Sequence, residues 1–209
     1  GVRFAFSKIT LPPDSGLVVA ADAARFAELH PGVKNVVGDW QGQLANNGES
    51  IRLVNATGAT MDKVRYATEG DWAQRIRGSL HGSHRGWAWH AAHDGGGHSL
   101  ELMQFGLSNN HGGNWRTSLP KRGTPGRANS TKTVNLPPMI LDVIHSPATP
   151  RSTDPVRVTA RLIDESPDEI SARLVYRLDG EGNYWELPMA RSGAEQFAAT
   201  ILEQPDGQV

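Results

Sequence analysis

A run of turn chemistry set between short strand-forming stretches constrains this chain more than any catalytic motif does. Asp94-Gly95-Gly96-Gly97-His98 feeds Ser99-Leu100-Glu101-Leu102, an Asn114-Trp115 pair follows, and Gly123-Thr124-Pro125-Gly126-Arg127-Ala128-Asn129 closes the series. Glycine adopts the positive φ of tight turns and proline fixes φ, so segments dense in both interrupt a helix and favour strands joined by turns. Gly70, Gly78, Gly82 and Gly86 carry the interruption upstream. An all-β fold is expected.

The rest of the chain reads the same way. Val2-Arg3-Phe4-Ala5-Phe6 alternates large apolar residues with smaller or charged ones, the period of a half-buried strand, and Leu17 to Ala21 is a more continuous apolar run. Asp22 can cap a short helix through Phe26 and Leu29, which Pro31 stops. Ser50 to Val54 and Met61 to Tyr66, joined by Asn55-Ala56-Thr57-Gly58, predict a hairpin. Residues 67–98 are the least regular and are expected as a long loop with one strand at Trp87 to His90, the place where a site would sit.

From Pro120 to Pro138 the chain is rich in Pro, Gly, Ser, Thr and basic residues without periodicity, and residues 131–138 are expected as a solvated linker. Beyond it, Met139 to Ile144, Val156 to Leu162, Ala172 to Leu178, Tyr184 to Met189 and Gln196 to Leu202 predict five short strands at regular spacing.

The order of these motifs resembles the lamin tail domain in its bacterial form, an immunoglobulin-like β-sandwich. The resemblance rests on Leu11-Pro12-Pro13-Asp14-Ser15-Gly16-Leu17-Val18-Val19-Ala20, Leu44-Ala45-Asn46-Asn47-Gly48-Glu49-Ser50-Ile51-Arg52-Leu53, Met61-Asp62-Lys63-Val64-Arg65-Tyr66, and the three motifs of the opening series. It covers residues 1–130. The family normally opens with a strand bearing a Glu amid apolar residues and then a Gly-Trp corner, and nothing before Gly1 can supply them, so the resemblance implies an N-terminally truncated multidomain fragment. Residues 139–209 resemble part of an immunoglobulin or fibronectin type III-like domain, and the chain is expected to hold two tandem, incomplete immunoglobulin-like β-sandwiches.

Charge and composition exclude several function classes. With 21 Lys and Arg against 22 Asp and Glu there is no broad positive field to hold a polyanion, and nucleic acid is not expected as a partner. The chain has no cysteine, which removes disulfides, thiolate metal sites and a thiol nucleophile. No apolar run is long enough to span a bilayer, so direct membrane insertion is not expected. Neither a nucleophile elbow nor a defined acid pair ties the serines, aspartates and histidines into a catalytic set. The glycine run lacks the strand and helix of a phosphate loop, and no cofactor is expected.

Two features offer sites. His81, His84, His90, His93 and His98 form two His-x-x-His pairs near Asp94, donors that suit zinc. In a loop such pairs do not converge as they do on a helix, so no metal site is expected and a loop-packing role ranks higher. Trp87 and Trp89 point the same way in an extended segment and make an aromatic platform for a sugar ring or a protein partner. Trp87, Trp89 and His93 are the ligand-binding candidates, although burial against Ile51, Leu53, Val64 and Leu100 is the expected fate of both tryptophans. Trp72, Trp115 and Trp185 are expected as packing residues. Asp179-Gly180-Glu181-Gly182-Asn183 has the oxygen spacing that starts a calcium loop, but the twelfth position is Ala190, so a hairpin turn is expected.

The resemblance implies a noncatalytic binding or scaffolding module of a large bacterial secreted or cell-surface protein. Such a module positions neighbouring domains of the parent chain or binds a protein, envelope or carbohydrate ligand. The alternative is an accessory domain of a secreted enzyme, kinase-like or hydrolase, whose histidine-rich loop adds a metal or substrate contact.

Overall fold

Asp22 shows how the sequence sets local structure. Its side chain accepts the Arg25 N–H at 2.7 Å and so starts the single α-helix among the described residues, α1 (Ala23–Leu29). A side-chain oxygen there replaces the helical partner that the first N–H groups lack. The computed structural model describes residues 1–82 and 84–204. It divides into two compact units, Gly1–Val134 and Asn135–Val209.

Among its described residues the first unit holds ten strands, most of them short: β1 (Val2–Arg3), β2 (Val18–Ala20), β3 (Val36–Gly38), β4 (Gln41–Gly42), β5 (Ser50–Val54), β6 (Thr60–Arg65), β7 (Gln74–His81), β8 (His84–His90), β9 (Leu100–Leu102) and β10 (Trp115–Thr117). They pair two by two. β2 and β3 run parallel with α1 as their crossover, and the ladders β1–β4, β5–β6, β7–β8 and β9–β10 are antiparallel. The β5–β6 hairpin turns on Asn55, whose Oδ1 accepts the N–H groups of Thr57 and Ala59. The expected strand over residues 2–6 shortens to Val2–Arg3.

The region expected as a loop is instead the longest hairpin of this unit. Gly78 and Gly86 do not break it. They face each other at a bulge, where a Cβ on Gly78 would stand 3.2 Å from the Gly86 carbonyl oxygen. Glycine allows that close approach of two backbones.

What orders the turn-rich half of the first unit is a buried polar lattice. Glu101 is 3% exposed, and its carboxylate accepts Thr124 Oγ1–H at 2.5 Å, Ser130 Oγ–H at 2.6 Å and the Thr131 N–H at 3.2 Å. Burial alone would push this carboxyl up, but the hydroxyls of Ser130 and Thr124 and the Thr131 N–H outweigh it and hold the group below the usual glutamate range. Asn114 is fully buried; its Oδ1 accepts the Gln104 N–H, and its Nδ2 donates to the carbonyls of Gln104 and Ser108. Asn129 Nδ2 donates to the Leu102 carbonyl, and Trp115 Nε1 donates to that of Asn109. The backbone is tightly fitted here: Gly123 has φ +69°, and a Cβ on it would overlap Ser99 Oγ.

The lattice reaches into residues 131–138, the stretch expected as a linker, within which the boundary between the two units falls. Thr131 bonds Glu101, the Thr133 N–H donates to the Met103 carbonyl, and Gln104 Nε2 donates to the Val134 carbonyl, so the stretch through Val134 is tied into the first unit. Leu136 is buried in the second unit, and its N–H donates to Glu165 Oε1 at 2.6 Å.

The second unit contains β11 (Met139–Ser146), β12 (Val156–Ile163), β13 (Ala172–Tyr176), β14 (Trp185–Arg191) and β15 (Gln196–Ile201), in the order β11-β12-β15-β14-β13. All neighbours are antiparallel. β14 pairs with β13 through Met189, then its last two residues pair with β15 at Ala190↔Ala198 and Arg191↔Phe197. That switch brings Ala172 and Met189 against the buried cluster of Ala160, Leu162 and Phe197. Alternation along β12 and β15 sends these residues to one face, where their apolar area leaves water. The whole description is all-β.

Candidate binding site

The β7–β8 ribbon gathers the aromatic candidates. Arg75 and Arg77 alternate with Ile76, and Trp87 and Trp89 alternate with Ala88, so the register pairs Arg75↔Trp89 and Arg77↔Trp87 put two guanidiniums and two indoles on one face. Past the bulge, Leu80↔Arg85 adds Arg85 to that face. The Arg75 guanidinium lies 4.1 Å from the centre of the Trp87 ring, a cation–π contact, and that of Arg77 lies 5.8 Å away. Neither β7 nor β8 contains Asp or Glu. Among the described residues, none of the ion pairs involves Arg75, Arg77 or Arg85.

Burial is not the fate of these tryptophans. Trp87 is 57% exposed and Trp89 47%, and the surface expected to cover them is itself open, with Ile51 and Leu53 exposed. The physical reason is pairing: each indole faces an arginine across the ribbon instead of an apolar sheet. Trp72 and Trp115 do pack, with ring centres 5.8 Å apart, whereas Trp185 of the second unit is exposed.

Trp89 also borders an open cleft of about 600 Å³, whose lining includes Glu69, His90, Asp94 and His98. His98 is fixed there because its Nδ1 donates to the Ser118 carbonyl at 2.8 Å. His93 does not line this cleft. Its Nε2 donates to the Ala67 carbonyl at 3.1 Å, and its Nδ1 is buried with no hydrogen-bond partner. Of the three candidates, the structure brings Trp87 and Trp89 onto one face and gives His93 an anchoring contact. His81 and His84 pair across the ribbon end. Among the described residues, no three His, Asp or Glu side chains come together as a metal site. Asp179 bonds the Gly180 N–H within the connection from β13 to β14.

Sequence reasoning missed Arg75, Arg77 and Arg85. The signal was present as Arg-Ile-Arg and Trp-Ala-Trp, two runs of period two separated by a turn. Comparison with protein-family models, with curated proteins and with solved structures finds no match for this chain. Among the described residues, no helix is long and apolar enough to cross a membrane.

Proposed function

We propose that this chain is a noncatalytic binding and scaffolding part of a large bacterial secreted or cell-surface protein. In this reading the first unit is lamin-tail-like and the second is of the immunoglobulin or fibronectin type III-like kind. One observation carries the binding half: two large indoles stand about half exposed, side by side, on a hairpin whose β8 strand is exposed throughout. Indoles left in water forgo burial free energy, and aromatic side chains grouped with arginine are what binding surfaces concentrate. The scaffolding half has a different support. Glu101, Asn114, Thr124 and Asn129, which carry the lamin-tail resemblance, spend their polar groups on tying loops together. Extracellular or surface location rests on the resemblance alone.

The test is retention of the intact chain on a panel of purified envelope proteins and polysaccharides. A ligand retained by the wild type and lost in the Trp87→Ala, Trp89→Ala double variant, with a cooperative melt lowered by no more than a few degrees, supports the reading. Submicromolar zinc binding that disappears in a His90→Ala, His93→Ala variant, together with turnover of a substrate, would replace it with the accessory-enzyme alternative.

A further inference from the structure

We infer that the tryptophan face of the β7–β8 ribbon, with the cleft beside Trp89, binds an acidic polysaccharide, whose sugar rings carry carboxylate or sulfate groups. The inference rests on the binding reading above and names the ligand class for that site.

Charge is the first ground. Arg75, Arg77 and Arg85 share a face with no carboxylate on either strand, and like charges on neighbouring positions of a ladder repel. An anionic ligand relieves that repulsion. The net charge of the chain is −1, so no long-range field gathers polyanions and the attraction acts only in contact with this face. The Arg75 guanidinium lies over the Trp87 ring and is in none of the ion pairs among the described residues, and a guanidinium can give an oxyanion two parallel N–H bonds.

The second ground is the cleft, which selects the kind of anion. Glu69 and Asp94 supply carboxylate acceptors, and His90 and His98 supply ring nitrogens, close to the exposed indole of Trp89. A sugar fits that combination: the C–H face of its ring lies on the indole while its hydroxyls donate to the carboxylates. A single-stranded nucleic acid fits it less well. Its bases would stack on the indoles, but a phosphodiester strand carries few hydroxyl donors for Glu69 and Asp94, which oppose any anion placed in the cleft, so the charges of the ligand belong on the arginine face and its hydroxyls in the cleft. A neutral glycan would leave the charges of three guanidiniums without the counter-charge that the ion pairs among the described residues do not give them.

The experiment uses the intact chain and follows tryptophan fluorescence and calorimetry with four probes: an oligogalacturonate, a sulfated dextran, a neutral dextran oligosaccharide and an oligothymidylate. Binding of either acidic glycan is expected, weakening as salt is raised. Arg75→Gln and Trp89→Ala are each expected to weaken it about tenfold or more while the melting point falls by no more than a few degrees. Binding of the carboxylated probe alone, or of the sulfated probe alone, identifies which oxyanion the face takes, and both support the inference. It is overturned if neither acidic glycan binds, if neutral dextran binds equally well, if oligothymidylate binds more tightly, or if binding survives the Trp87→Ala, Trp89→Ala variant. A protein or neutral glycan that depends on the same two tryptophans would overturn the acidic ligand and leave the binding reading standing.

Discussion

Of the nine apolar residues buried among those described, eight belong to the second unit, from Leu136 to Ala199, and Ala20 belongs to the first. The buried polar residues Glu101, Asn114 and Ser118 all belong to the first. The second unit is therefore ordered as a sheet usually is, by alternation that drives Val158, Ala160, Leu162 and Phe197 out of water. In the first, turn-rich segments are too irregular to share a continuous apolar face, and side-chain hydrogen bonds to loop backbone take over. The contrast teaches that glycine- and proline-rich chain becomes ordered where a few buried polar groups are fully satisfied, and that its hairpins can then stay open to partners.

The largest effect that would sharpen this comparison belongs to the second unit. Phe197 is 2% exposed at the centre of the apolar cluster, so Phe197→Ala should cost about 3–5 kcal/mol. That is enough to unfold a unit of marginal stability. Calorimetry of the full chain should show the transition assigned to this unit lowered or lost; a shift of a degree or two would deny that the cluster holds the unit.

Next comes the lattice of the first unit. Glu101→Ala leaves the donors of Thr124, Ser130 and Thr131 without their acceptor, with an expected loss of roughly 3 kcal/mol, since bonds to a charged group are the costly ones to break. Glu101→Gln should recover part of it. Chemical denaturation followed at Trp115, which sits beside Asn114, would read both.

How much of this was legible in sequence follows from the kind of force at work. Alternation announced all five strands of the second unit, and Asp22 and Asn55 announced the helix start and the β5–β6 turn through their own side-chain bonds. The β7–β8 hairpin was hidden because glycine is permissive and gives no sign of its use. Gly82 has φ +61° in the turn, whereas Gly78 and Gly86 serve close strand approach. The exposure of Trp87 was hidden for another reason: apolar area predicts burial, and only the cross-strand register reveals that its neighbours are Arg75 and Arg77. The lattice was legible as a set of motifs but not as a network, because Glu101 and Ser130 are 29 positions apart.

A smaller effect distinguishes the two units by pH. The Glu101 carboxyl is held below its unfolded value, about 4.3 for a free glutamate side chain, so its contribution is complete above that value and is lost as the pH falls through the depressed folded value. Acid titration of stability should show this loss in the first unit, and Glu101→Gln should remove it. An unchanged acid limb in that variant would assign the loss to other carboxylates.

The smallest effect is expected at the ribbon. Trp87→Ala removes an exposed ring and its contact with Arg75, for a change of about 0.5–1 kcal/mol. A loss of several kcal/mol on thermal denaturation would show the ring to be packed, and would erase the contrast between an ordered lattice and an open hairpin.

Hydrogen exchange of the intact chain tests that contrast most directly, because it reads local opening at each backbone amide. The amides of Met103, Gln104 and Ser118, bonded within the lattice, should be the slowest of the first unit. Those of Gln74–His81 and His84–His90, although paired across the ribbon, should exchange well before them, since apolar packing covers neither strand. Ribbon amides as protected as those of the lattice would mean that the hairpin is packed beneath other structure, and would contradict an open tryptophan face.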